Sequence, residues 1–339
     1  MKEKAGRIAK WDNLKFLLIL CVVIGHFFSR YVAQFDDDNS YAKSLIFFIY
    51  SFHMPAFVFI SGLFAKRTIN EKRYDKVFSY LMMYVVTKYA LLFVRAFYEK
   101  KIEFRYFTMN DVSWYAFAIF AFCLMTIFLK QFDARYVLIL SVVVSCATGY
   151  ASEVGTFLSL SRIATFYPFF LMGYYLQPDA VLKITEKKSV KLISAVILIL
   201  TAYISYRKID KIYWLLKILK GKTPYDSLAH YAEYGALLRL CWYIAAMILV
   251  FALISIVPSV HSIFTKWGSR TLQVYALHYS LMLAFFHCFN GMKWVDRVWP
   301  NHRLLVLLII SVIVTCVLSI KPIYIFMNAI IFPKKKVSK

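Results

Sequence analysis

Lys15 and His26 share one apolar stretch at a spacing that can do chemistry. On a helix, the separation between them is about 1100° of rotation, three turns plus roughly 20°, with a rise of about 16 Å. Both side chains therefore occupy one face. Asp12 falls three residues before Lys15, close to the same face, where it can pair with the ammonium. The stripe ends in an imidazole, the natural general acid or base near neutral pH. A second imidazole, His53, lies in Ser51-Phe52-His53-Met54-Pro55. If consecutive helices run antiparallel as neighbours, His26 and His53 sit at similar depth. Pro55 frees a backbone carbonyl near Ser51, an irregularity tolerated where it lines a polar cavity. His278 lies in a later apolar stretch and is expected shallower, nearer the face from which Lys15 enters. Read singly, His26 is as well explained as a hydrogen-bonded interhelical histidine, and Lys15 as a lysine reaching back to the surface.

A basic segment, Lys66-Arg67 … Lys72-Arg73-Tyr74-Asp75-Lys76, follows the second stretch. Its plain reading is membrane topology. Its functional reading is a clamp for the phosphates of coenzyme A or a nucleotide. The chain has no GxSxG, HExxH, Walker or GxGxxG motif. Cys21, Cys123, Cys146, Cys241, Cys288 and Cys316 form no CxxC pair and have no metal-ligand spacing, so they are expected as buried free thiols and no metal site is expected.

The elements that must position these residues are membrane helices. Of 339 residues, 61% are apolar, 19% aromatic and 17% charged. A water-soluble domain needs about 25% charged residues. Apolar runs of bilayer-spanning length recur along the chain. Windowed hydropathy gives ten spans, at 14–35, 44–65, 77–98, 112–129, 136–150, 163–177, 190–206, 235–257, 271–289 and 304–332. The last contains Lys321-Pro322 and is expected to kink or end early. The first is kept as a helix, because no small-residue cleavage site follows it. The formal charge of +23 fits positive-inside loops and anionic lipid better than nucleic acid. The short loops favour both termini inside, with Asp36-Asp37-Asp38 outside. Residues 207–234 then form a long outer loop, in which Asp210–Lys222 is expected as an amphipathic interfacial helix carrying Ile212, Leu215, Leu216 and Leu219. The expected architecture is all-α and polytopic: one integral-membrane domain over 1–339, with basic inner tails at 1–13 and 333–339.

In this frame the residues resemble the acyltransferase-3 family of integral-membrane O-acyltransferases, most closely its fucose 4-O-acetylase-like branch. The family signature is a basic residue, ten residues, then a histidine in the first helix, here Lys15 … His26 within Trp11-Asp12-Asn13-Leu14-Lys15. Further likenesses follow in order. They are Phe52-His53-Met54-Pro55 … Ser61-Gly62, Trp114-Tyr115-Ala116-Phe117, Arg162 … Tyr167-Pro168-Phe169-Phe170 … Gly173-Tyr174, and Gly268-Ser269-Arg270 … Tyr275-Ala276-Leu277-His278.

The resemblance implies transfer of an acyl group, usually acetyl, from cytoplasmic acetyl-CoA to a hydroxyl of a carbohydrate, with no permanently bound cofactor. The cell is then bacterial and the membrane its inner one. His26 is the implied catalytic residue and Lys15 assists; the resemblance names no oxyanion donor, for which His53 is the candidate, and leaves open general-base transfer or an acetyl-His26 intermediate. Lys15, Arg73 and Lys76 are the implied acyl-CoA contacts, with Lys72 or Arg67 as alternatives to Lys76. Arg73 … Lys76 stands where the family has Arg-x-x-Arg, and lysine lacks the bidentate fork of arginine. Asp12, Trp114, Arg162, Tyr275 and His278 are supporting or acceptor-side positions. The rival reading is a proton-coupled saccharide transporter or flippase, which has no use for a donor.

Overall fold

The computed structural model describes residues 9–35, 39–100, 107–108, 111–153, 155 and 157–332, and they are almost wholly helical. The described part of the chain runs α1 Ala9–Phe35, α2 Ser40–Asn70, α3 Tyr74–Arg95, α4 Trp114–Leu129, α5 Ala134–Thr148, α6 Leu160–Tyr175, α7 Pro178–Thr185 and α8 Lys188–Arg207. It continues with α9 Ile209–Ile212, α10 Leu216–Lys220, α11 Gly235–Ile256, α12 Ile263–Gly268, α13 Thr271–Leu283, α14 Gly291–Val298, α15 Arg303–Leu318 and α16 Lys321–Ile331. The only β feature among the described residues is an isolated bridge between Thr108 and Phe157.

Every apolar window of the sequence falls on a helix, but not every helix is of spanning length. Six helices, α1, α2, α3, α8, α11 and the one ending at Leu318, are long and apolar enough to cross a bilayer. A seventh span results if Thr271–Cys288 and Gly291–Val298, bent by 68°, count as one. α4, α5 and α16 are apolar but shorter. At about 1.5 Å per residue they do not by themselves cover a hydrocarbon core of about 30 Å. The final window divides into α15 and α16 just before Lys321-Pro322, because proline takes the first turn of a helix and rarely its middle. Residues 1–8, 36–38 and 333–339, which hold the acidic run and most of both basic tails, lie outside the described residues.

Two sequence expectations are corrected. Asp210–Lys222 is not one interfacial helix. It breaks into α9, a 3-10 turn at Tyr213–Leu215, and α10, ended by Gly221 in the left-handed region (φ 61°). Leu216 and Leu219 are buried, and α10 packs against α2 and α11 rather than lying flat on a membrane surface. Nor are all the cysteines interior. Cys123 is buried, but Cys241 is exposed on α11, an apolar helix whose outer side has no protein neighbour to cover it. The six thiols are unpaired.

α1 and α2 are the central pair. α1 packs against α2, α12, α13 and α15, and α2 against α6, α8 and α11. Small residues set how closely the backbones approach. A Cβ at Gly62 would meet the Phe170 carbonyl oxygen at 2.0 Å, and one at Gly173 would meet the Phe59 carbonyl oxygen at 2.0 Å. The two glycines thus bring α2 and α6 into backbone contact, the small-residue packing that membrane helices favour. Gly268 does the same for α12 against α1, where a Cβ would lie 1.8 Å from the Asp12 carbonyl oxygen. Asn13 completes that junction: its amide donates to the Pro258 and Val260 carbonyls at 2.8 and 2.9 Å, and its Oδ1 accepts from the Thr265 hydroxyl at 2.6 Å.

Candidate active site

His26 lies midway along α1, where two cavities meet. The first, about 140 Å³, is walled mostly by apolar groups, among them Ile19, Val22, Phe57, Met83 and Leu272. The second, about 310 Å³, lies toward the Ala33 end of α1 and is polar, with Ser29, Arg30, Asp111, Arg162, Lys220 and Lys222 in its wall. His26, Met54, Val112 and Trp114 line both. An imidazole at such a junction can touch groups delivered from either side. Its ring lies edge-on to Tyr279 at 5.2 Å and tilted to His278 at 5.3 Å, centroid to centroid.

The placement of His278 corrects the expectation that it is shallower than His26. Thr271 and Leu272, at the start of α13, line the same cavity as Ile19 and Val22 of α1. The helix therefore begins well inside the bundle, and seven residues of rise, about 10 Å, bring His278 level with His26. His53 does sit near that depth, in the wall of the polar cavity and 4.7 Å from the Tyr50 ring.

Backbone contacts fix the tautomers of both partner histidines. His53 Nδ1 lies 2.8 Å from the Ile49 carbonyl oxygen, and His278 Nδ1 lies 2.8 Å from that of Val274. A carbonyl only accepts, so each Nδ1 carries the proton. Each neutral ring then offers Nε2 as a lone pair. His53 so held has no N–H to give an oxyanion, which revises the role the sequence suggested. His278 Nε2 is buried and makes no hydrogen bond.

The connection before α4 closes one side of the junction. Asp111 bonds Lys88 Nζ at 2.9 Å and receives the Ser113 amide and hydroxyl. Tyr275 donates its hydroxyl to the Val112 carbonyl at 2.5 Å and accepts from the Ala116 amide at 3.1 Å. These bonds hold Val112 and Trp114 against His26, so Tyr275 positions the wall as well as lining it. Arg162, from the first turn of α6, stacks its guanidinium on Trp114 at 4.9 Å from the ring centroid.

The other predicted residues gather at the Ala9 end of α1, away from His26. Lys15 Nζ lies 3.3 Å from Asp12 Oδ1 and 5.5 Å from the Phe64 ring centroid. It is outside the walls of both cavities, about 16 Å along the axis from His26, so it does not contact groups reacting there. Arg67 pairs with Glu71 at 2.8 Å on an exposed turn, and Lys72 occupies the left-handed region (φ 50°). Arg73 caps α3, and Lys76 is half-buried in its first turn. Lys76 falls four and seven residues before Tyr80 and Met83, which line the apolar cavity. It therefore lies on the α3 face that leads into that cavity. A further recess of about 610 Å³ opens here against Asp12, with His261, Lys266 and Arg270 in its wall.

Sequence reasoning missed Tyr50, Arg30, Tyr279, Lys220 and Lys222, all in the polar cavity. Arg30, one turn after His26, and Tyr50, three residues before His53, were legible from helical spacing. Nothing local marks the two lysines, since only the folding back of α10 onto α2 brings them in. Lys266 and Arg270 were counted as topology, and His261 was not singled out.

The model of the acyltransferase-3 family, described as an acyltransferase domain, matches residues 8–321, a stretch containing every site residue above. No curated protein and no solved structure matches the chain. Matched by that family model over most of its length, and built of apolar helices, the chain belongs to the acyltransferase-3 family and is a membrane acyltransferase.

Proposed function

We propose that this chain, a member of the fucose 4-O-acetylase-like branch, moves an acetyl group from acetyl-CoA to a hydroxyl of a carbohydrate. In this reading the chain crosses a bacterial inner membrane ten times, with the shorter apolar helices among the crossings, and both termini and the Ala9 end of α1 face the cytoplasm. The observation that carries the reading is the meeting of an apolar and a polar cavity at His26. The apolar cavity suits a thioester and its pantetheine arm, entering past Lys76. Arg73, Lys76 and the recess holding Lys266 and Arg270 bind the donor phosphates, with Lys15 and Asp12 at the mouth; Lys72 and Arg67 add charge. The polar cavity takes the acceptor.

In the reaction, neutral His26 removes the proton of the acceptor hydroxyl as its oxygen attacks the thioester carbonyl. The carbon–sulfur bond breaks, and the thiolate leaves with the proton that His26 returns. The products are an acetyl ester and coenzyme A. General-base help of this kind is worth about 10²–10⁴ in rate. The developing oxyanion needs N–H donors. The Trp114 indole, in the wall of both cavities, supplies one, because His53 is held with its lone pair forward. His278 is a positioning residue: closing the 5.3 Å ring separation lets its Nε2 accept from His26.

Membranes carrying the protein, given acetyl-labelled acetyl-CoA and a glycan fraction, test this. Alkali-labile label that is lost in His26→Ala is the expected result. Equal labelling by His26→Ala protein, with both proteins inserted, would sink the mechanism.

A further inference from the structure

Building on acyl transfer at His26, we infer that the acceptor is anionic: a hydroxyl-bearing molecule whose phosphate or carboxylate is held by Arg162, Lys220 and Lys222 in the polar cavity. The walls of this cavity carry four cationic side chains, Arg30, Arg162, Lys220 and Lys222, drawn from α1, α6 and the end of the α9–α10 segment. Asp111 is the one acid among the described residues that line it. That carboxylate is already matched by Lys88 at 2.9 Å, a lysine outside the lining. Arg30 meets His287, which brings no negative charge when neutral. Among the described lining residues positive charge is thus in excess, between low-dielectric walls where fields are focused.

The cations are also held ready. Arg162 sits over the Trp114 ring, 4.9 Å from its centroid, and Lys220 over Tyr50, 5.5 Å from the ring centroid. Stacking on an aromatic face steadies a cation. Both aromatic platforms line the cavity with His26. An anion seated on these cations therefore keeps its attached hydroxyl in the space that His26 reaches. Burial, with Lys222 and Arg162 beside it, pushes the Lys220 ammonium down to about 8. Gathering like charges in a buried site is costly unless an opposite charge completes it. A neutral sugar gives these cations only dipoles.

The test measures binding and transfer separately. Purified full-length protein is heated with glucose, glucose 1-phosphate or glucuronate. A charged sugar should raise Tm, and the shift should fade with salt. Glucose should give little. Phosphate and carboxylate acceptors are told apart by which charged sugar acts. His26→Ala should keep the shift. The Lys220→Gln, Lys222→Gln double variant should cut it at least about five-fold. The Lys220→Arg, Lys222→Arg variant, which keeps the charge, should retain it and guards against a simple folding defect. Equal stabilisation by glucose overturns the inference. So does a full shift in the Gln double variant, or a shift lost only in Arg73→Gln, Lys76→Gln, which would put the anion at the donor mouth. In the transfer arm, label on neutral glycans alone would sink the anionic acceptor and leave acyl transfer standing. An intact anion shift with no labelled ester on any acceptor would sink acyl transfer instead.

Discussion

On the Ile19 side of His26 the wall is Val22, Phe57, Met83 and Leu272; on the Ala33 side it is Arg30, Arg162, Lys220 and Lys222. The first cavity can sort ligands only by size and apolar fit. The second can sort them by charge. That division follows from which elements build each side. Membrane helices α1, α2, α3 and α13 supply the apolar wall, and each is constrained to be apolar by its surroundings. The polar wall borrows from a connecting segment, Leu216–Lys222, that need not satisfy a bilayer. On the proposed function, one imidazole between two such chambers would join an acyl group sorted by shape to an acceptor sorted by charge.

The sharpest way to break the comparison is to change the size of the apolar side alone. Met83 is buried and lines that cavity. Met83→Ala removes most of its side chain and leaves room for a longer acyl group. One methylene in an apolar pocket is worth roughly 10–200-fold in discrimination. The ratio of kcat/KM for butyryl-CoA over acetyl-CoA should therefore rise by about 10-fold or more. Leu219→Ala, in the polar wall, should leave that ratio where it was. An equal rise in both variants would mean that the acyl group does not lodge on the Met83 side.

How much of this was legible in the sequence differs between the two chambers for the same reason. Lys15 … His26, His53 and His278 announce themselves, because an ionisable residue inside an apolar run needs an explanation. Helical periodicity then puts His26 and Lys15 on one face. It does not say that they act together, and the structure keeps them apart along the axis. The depth of His278 was misjudged because hydropathy marks where a helix is apolar, not how deep in a bundle it starts. Lys220 and Lys222 were read as part of an amphipathic surface helix. The pattern of Leu216 and Leu219 was correct, but the surface they meet is α2 and α11 rather than lipid. Tertiary contacts of that kind leave no local signal. The fold class and the histidines were therefore open to inspection, and the cationic wall was not.

Proton concentration should act on the polar side by a smaller amount. Lys220 loses its proton near pH 8, and burial also pushes Lys222 down. The charged groups that share the cavity are Arg30, Arg162 and Asp111, with His26 at its floor. The sign is set by the depressed values: below them the lysines are cations, and above them they are neutral. Anion binding favours the protonated form, so affinity for glucose 1-phosphate should fall several-fold between pH 7 and pH 9. Lys220→Arg, with a guanidinium that stays charged throughout, should flatten that fall. A profile that is flat in the unmodified protein would place the anion elsewhere.

The smallest expected effect concerns the wall that the two chambers share. Tyr275→Phe removes one hydroxyl and with it two bonds, the donation to the Val112 carbonyl and the acceptance from the Ala116 amide. The ring remains to fill its space against Tyr115, at 5.3 Å. Leaving a buried carbonyl unsatisfied costs about 1–3 kcal/mol. Some of this is recovered if Val112 shifts toward a cavity and finds water. Such a shift loosens the partition beside His26 without removing any group that touches substrate. Water then gains access to the thioester. Hydrolysis of acetyl-CoA without an acceptor should rise a few-fold relative to transfer, and KM for the donor should change little. If the two rates fell together at a constant ratio, Tyr275 would be supporting the fold as a whole and not the separation of the two cavities.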